Sequence, residues 1–409
     1  MPSLEATKQV PQTSQPPASA RLILFITVFL DLLGFGIVIP LLPMFATRLG
    51  ISFVGIGAIM AVYSLAQFIF APILGRLSDR IGRRPVIMLG LLGSSVGYII
   101  YGFAGSFVGL LLSRAVHGVC AATISTAQAY IADTTDESNR ARGMGMIGAA
   151  FGLGFVIGPA IGGLLGRNDL RIPGFFAAAL TFANLIFAAM RLPESHQPEP
   201  GARIDASVIV APIRDLPRQL FAHDLSRLFS IAFLTTFALA AFETTFAIMI
   251  PYVYGYGPTG IGTLLAFAGL MQALAQGYLL GKIVGRIGEA RLLPVGIILF
   301  AIGLAPLANM PTPSTLLLAL ALLSVGYGFA SPAIASLISK RTERALEGEA
   351  LGINQSASSM ARILGPLAGG LAYGTFGTSA PYVGGAMVAL MAFILARGID
   401  EPQAARRTL

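Results

Sequence analysis

Apolar residues fall in long runs along this chain, not in the alternation of a strand or the single stripe of a surface helix. A run of about 20 residues crosses a ~30 Å hydrocarbon layer at ~1.5 Å rise per residue. Six runs occupy 22–46, 52–74, 85–104, 107–132, 143–166 and 173–191, and six more occupy 228–252, 259–281, 292–307, 314–339, 350–373 and 380–397. The pattern predicts an all-α membrane protein of twelve transmembrane helices in two six-helix bundles, 21–191 and 228–397, joined by a linker at 192–227. Residues 1–20 are rich in Pro, Ser, Thr and Gln without a long apolar core, so they read as a disordered tail and not as a cleaved signal peptide. Span 1 then acts as the targeting element, and a second tail follows at 398–409.

Charge orients these spans. Arg76, Arg80, Arg83, Arg84, Arg140, Arg142, Lys282, Arg286, Arg291, Lys340, Arg341 and Arg344 lie in even-numbered loops, against only Arg48, Arg167 and Arg171 in odd-numbered ones. The positive-inside rule places the even loops, the linker and both termini in the cytoplasm of a cell that carries this chain in its plasma or inner membrane. The halves echo each other: Leu74-Gly75-Arg76 to Ile81-Gly82 recurs as Leu280-Gly281-Lys282 to Ile287-Gly288, and Gly158-Pro159 recurs as Gly365-Pro366, at offsets of 206 and 207 residues. Two copies in one orientation are what a transporter of two rocking halves requires.

Composition narrows the function. Charged residues are 11% of the chain, against roughly 25% in soluble domains. The net charge of +8 sits in loops between spans, where it orients the chain and makes no case for nucleic acid. Cys120 is the single cysteine, so neither a disulfide framework nor a cysteine metal site is expected. No GxxxxGK[ST] or HExxH motif occurs, and no loop has room for a catalytic domain, so an enzyme, a bound metal and a cofactor are not expected.

Gly75-Arg76-Leu77-Ser78-Asp79-Arg80-Ile81-Gly82-Arg83-Arg84 is similar to the signature loop of the major facilitator superfamily. Asp31-Leu32-Leu33-Gly34-Phe35-Gly36 through Pro40 and Pro43, Ala129-Tyr130-Ile131-Ala132-Asp133, and Gly154 through Gly158-Pro159 to Gly162-Gly163 resemble the proton-coupled drug exporter branch, tetracycline efflux proteins above all. This closer resemblance covers residues 22–195, ending at Leu192-Pro193-Glu194-Ser195-His196. In the signature loop Asp79 is expected to face the amino end of a neighbouring helix, and Arg83 or Arg84 to reach Asp133 below span 4. Gly75, Asp79, Arg80, Gly82, Arg83, Arg84 and Asp133 would then form a latch. The resemblance implies that it holds the outward-open state and breaks as the cavity opens inward; the alternative is that these arginines only orient the chain. Gly285 stands where Asp79 stands in the first copy, so the second latch is expected to be degraded. Gly154, Gly158, Pro159, Gly162, Gly163, Gly365 and Pro366 suit close helix packing, and the resemblance links this motif to antiporters.

Charge at membrane depth costs about 2.5 to 3.5 kcal/mol per group on insertion scales, so it needs a partner or a task. Asp31 lies ~14 Å and Arg114 ~20 Å from the inner surface at 1.5 Å per residue, near enough to meet. Glu243 and Arg362, at roughly 21 to 23 Å, form a second candidate pair. Desolvation favours a neutral carboxyl and a guanidinium favours the anion, so a motion that moves the arginine switches the proton on or off. Asp31 is the first choice of proton carrier and Glu243 the second; a static ion pair that fixes packing is the alternative for both.

Cavity candidates are Phe35, Tyr63, Phe242 and Phe246 as apolar walls and Gln67, Gln272, Gln276, Asn354 and Gln355 as hydrogen-bonding groups, with helix packing the competing role of each. His117 is a proton relay or a packing histidine. Gln272 stands where some tetracycline exporters carry a histidine, which speaks against a tetracycline-specific role. The expectation is therefore a proton-coupled exporter of small amphiphilic drugs or metabolites, acting as a monomer on the proton gradient without a cofactor. Its alternatives are a symporter or facilitator for a sugar or organic anion and, further off, a lipid flippase or ligand sensor.

Overall fold

The computed structural model describes residues 18–121, 123–135, 137–196, 225–309, 312–342 and 347–399, which form helices joined by short turns, with no strand among them. The rest of the linker, most of both tails and Arg344 lie outside the described residues. Among the described residues ten helices are long and apolar enough to cross a membrane. Spans 1 to 3 are Ala20–Arg48, Phe53–Ile81 and Arg83–Phe103. Span 4 comprises Phe107–Ala121 and Thr123–Thr134, span 5 is Glu137–Leu165 and span 6 is Ile172–Arg191. Spans 7 to 10 are Ser226–Tyr254, Pro258–Ile287, Glu289–Asn309 and Pro313–Arg341. Span 11, Glu347–Phe376, is as long but more polar, and span 12, Ala380–Ala396, is shorter.

The signature segment is not a loop. No proline lies between Leu74 and Ile81, so span 2 continues through Gly75 to Ile81 and the chain turns only at Gly82, whose φ of +102° suits glycine. Span 8 likewise runs to Ile287 and turns at Gly288, φ +77°.

The apolar core shows how the halves meet. One cluster draws on both, setting Ile37, Leu41 and Phe45 with Phe246, Ile250 and Leu264. Toward the end that carries the basic turns the cores separate: Leu24, Ile87, Tyr130 and Ile147 form one, and Leu228, Ile297, Ile334 and Ile353 another. Span 2 packs on span 11 and span 5 on span 8. Both contacts are made at the end opposite the basic turns, where Phe53 meets Tyr373 with ring centroids 4.7 Å apart and Thr259 Oγ1 donates to the Gly163 carbonyl at 3.1 Å. On the basic side a Cβ added at Gly148, Gly281 or Gly352 would meet nothing within 4 Å. The molecule is therefore sealed at one end and parted at the other.

Candidate functional site

Small residues build the seal. Gly158 and Gly162 lie against the backbone of Gly36 and Ile37 in span 1, while Gly163 and Pro159 meet Gly262 and Pro258 of span 8. In the second half Gly365 rests on Phe237 and Ala240 of span 7, and Pro366 on Gly57 of span 2. Each Gly-Pro helix thus presses one face on its own half and the other across the interface. Gly154, against Leu32, extends the first of these faces toward Asp31.

Above that face lies an aromatic cage. Arg114 is 1% exposed; its guanidinium sits 4.3 Å from the Tyr63 ring centroid and 5.5 Å from that of Phe35. Cation–π contacts of this kind contribute roughly 0.5 to 2 kcal/mol. Its Nη1 lies 3.1 Å from Nδ1 of His117. Arginine only donates, so Nδ1 accepts and the imidazole proton sits on Nε2. Tyr98, 4.4 Å from His117 between ring centroids, closes the cage, and Nε and Nη2 of Arg114 have no hydrogen-bond partner. Asp31 is close enough for its field to reach Tyr63 and Tyr98, yet it makes no ion pair with Arg114, and its Oδ1 is buried without a partner. The expected Asp31–Arg114 pair is thus absent from this state. Residue counts along a helix give a height, not a direction, and Arg114 turns toward the rings.

Glu243 is exposed although Phe242, Thr244, Thr245 and Phe246 around it are buried. The field of Arg362 reaches it, and Arg362, itself exposed, also acts on Tyr63 of the other half. Both therefore border the space between the halves, side by side and without an ion pair. Gln276 and Gln355 are exposed as well, while Gln272 and Asn354 are half-buried. Phe242 and Phe246 are buried in the shared core, where their rings meet at a 43° tilt with centroids 5.0 Å apart. Gln67 ties span 2 to span 4 through the Ala121 carbonyl, 3.4 Å from Nε2.

The basic end is the parted one, yet Asp79, Arg83 and Asp133, all within the first half, remain paired there, so these pairs do not break when that end parts, contrary to what the resemblance implied. Arg83, 7% exposed, gathers them. Its Nε lies 3.0 Å from Asp133 Oδ2, Nη1 donates to Ser78 Oγ at 2.7 Å, and Asp79 forms a further ion pair with it. Asp79 thus meets Arg83 four residues on, and the acid at the amino end of span 3 is Glu194: its Oε1 accepts from the Arg83 backbone N–H at 2.8 Å and its Oε2 from that of Arg84 at 3.2 Å. Nothing in residue type marked Glu194 out; its place one residue past Leu192-Pro193, where span 6 has ended, is the signal that was available. Arg84 reaches the Ala189 carbonyl of span 6 instead of Asp133. Position 285 offers no side chain, yet the second turn does hold an ion pair, between Glu289 and Lys340. Among the described residues no group of His, Cys, Asp and Glu is placed to hold a metal.

Two helical bundles, sealed at one end around a charged interior, define a membrane transporter of alternating halves. The Major Facilitator Superfamily model matches residues 24–257 and 228–408, and the chain belongs to that family. It is 31% identical to Multidrug resistance protein 2 of Bacillus subtilis (strain 168) over 355 residues, 86% of this chain and 88% of that one. It is 33% identical to the class E tetracycline resistance protein of Escherichia coli over 349 residues, 84% of this chain and 85% of that one. The crystal structure of the human organic anion transporter MFSD10 (TETRAN) is 26% identical and superposes with a TM-score of 0.70, covering 93% of this chain and 100% of that chain. The protein is a multi-pass membrane transporter of the major facilitator fold and not an enzyme.

Proposed function

We propose that the protein is a proton-coupled antiporter that exports small amphiphilic drugs or metabolites by alternating access, driven by the proton gradient without a cofactor. The observation that carries this reading is that Asp31, Arg114, Glu243 and Arg362 all lie inside the bundle and none is ion-paired with another. Static pairs would serve packing; unpaired ionisable groups at this depth cost too much to be kept without a task. The names of the bacterial relatives point to the same class of cargo. The excess of Lys and Arg favours a cytoplasmic basic end with both termini beside it, so that the parted end faces the cytoplasm. Each half finds its counterpart within the chain, which supports a monomer.

Ethidium accumulation in expressing cells tests this. Accumulation below that of control cells, with the difference erased by an uncoupler, is the expected result; a difference that survives the uncoupler sinks proton coupling. A second reading, an organic anion as cargo, is favoured by the two unpartnered nitrogens of Arg114 and by the described cargo of the human relative.

A further inference from the structure

The two basic turns share a geometry and exchange their charges. Gly82 has φ +102° and ψ 156°, Gly288 has φ +77° and ψ 164°, and each leads directly into the first residue of the next span. That residue is Arg83 in the first half and Glu289 in the second, at the offset of 206 that relates the turns. Both are buried, at 7% and 8% exposure. Arg83 reaches the end of span 4 at Asp133; Glu289 reaches the end of span 10 at Lys340, whose Nζ lies 2.5 Å from Oε1. Lys340 stands over Asp133 at the offset of 207 that relates the Gly-Pro motifs. A hydroxyl completes each set: Ser78 accepts from Arg83, and Ser336 Oγ donates to Glu289 Oε1 at 2.9 Å.

The reversal also explains why the second turn lacks a counterpart of Asp79. A helix amino end carries partial positive charge and disfavours a cation. Arg83 at that place needs acids around it, and it has Asp79, Asp133 and, on its own backbone N–H, Glu194. Glu289 suits the helix dipole by itself. With glycine at position 285, one lysine and one serine complete the second turn.

We propose that Glu289 and Lys340 are a second latch, equivalent to Arg83 and Asp133 with the signs exchanged. They are positioning residues that bind the turn between spans 8 and 9 to the end of span 10. The rim of the second half then moves as one body when the basic end closes. The proposal rests on the alternating-access reading. Its test reads conformation, not cargo: spin labels at Gly148→Cys and Gly281→Cys, on spans 5 and 8 in the parted region, with Cys120 replaced by serine, report open and closed populations across pH. Glu289→Lys and Lys340→Glu are each expected to shift the open-to-closed ratio by up to about fivefold, the ceiling for a partly exposed ion pair. The double exchange Glu289→Lys with Lys340→Glu is expected to return it to within about twofold of the unsubstituted value, because the two sites are coupled. Lys340→Arg should leave the ratio unchanged and serves as the folded control. Single variants without effect, or a double exchange as displaced as either single one, would overturn the latch. One distance at every pH in the unsubstituted protein would overturn alternating access itself, and the latch with it.

Discussion

In the first half Arg114 is enclosed by Phe35, Tyr63, Tyr98 and His117, and Asp31 keeps a buried, unpartnered oxygen. In the second half Glu243 and Arg362 stand exposed on neighbouring helices. Each half thus holds a carboxylate and a guanidinium at membrane depth, though not at positions that the repeat offset relates, and the second set is the more open of the two in this state. Glu243 is the more exposed carboxylate, and Asp31 is half-buried with one oxygen shut off and unpartnered. A coupling group has to be occluded in at least one state, and Asp31 stands nearer to that condition than Glu243.

Neutralising each carboxylate breaks or sharpens this difference. Asp31→Asn keeps size and hydrogen bonding and removes titration. Proton-driven ethidium efflux from everted vesicles is expected to fall by at least about tenfold, which corresponds to ~1.4 kcal/mol lost from the coupled step. Glu243→Gln should cost only a few-fold, roughly threefold, since its carboxylate is the more exposed of the two. A larger loss in Glu243→Gln than in Asp31→Asn would reverse the assignment of the proton carrier.

The sealed and parted ends offer a second contrast, of intermediate size. A Cβ at Gly262 would lie 2.9 Å from Gly163 Cα and closer still to the Pro159 carbonyl, whereas one at Gly281 meets nothing within 4 Å. Overpacking costs typically ~1 to 3 kcal/mol, so Gly262→Ala should shift the population away from the sealed arrangement by about tenfold. Gly281→Ala should leave it within about twofold. Distances between labels on spans 5 and 8 measure both, and equal effects would mean that the seal is not made by these glycines.

The apolar runs made the helices and their pairing into halves legible, because uninterrupted hydrophobicity leaves few alternatives in a membrane. Side-chain direction was not legible. Asp31 and Arg114 have compatible heights, but rotation about spans 1 and 4 decides whether they meet, and no period resolves it when nearly every position is apolar. Phe242 and Phe246 flank Glu243 in sequence and point into the core, a distinction set by neighbouring helices. The second latch is not legible in the motif, because position 285 lacks the acid of the first turn and its two charges lie 51 residues apart with their signs exchanged.

Glu194 sets the smallest of these effects and separates the two turns most directly. In the first, the amino end of span 3 begins with a cation and is capped from outside by Glu194, which also accepts from the backbone N–H groups of Ser195 and His196 at 3.0 and 3.2 Å. The start of the linker is held there too by Tyr130, whose hydroxyl donates to the Pro193 carbonyl at 2.9 Å. Losing a cap costs about 1 kcal/mol, and the charge near a helix amino end contributes roughly 0.3 to 1 kcal/mol of such effects. Thermal stability in detergent should therefore fall in the order wild type, Glu194→Gln, Glu194→Ala, because the amide oxygen keeps the bonds that Oε1 accepts while the charge and the bond that Oε2 accepts from the Arg84 N–H are lost. Lys340→Gln in the second turn removes a cation from an acid that the dipole already stabilises, so its effect should be smaller than that of Glu194→Ala. If Glu194→Ala is silent while Lys340→Gln is not, helix-dipole compensation does not explain why the first turn gathers three acids and the second needs one.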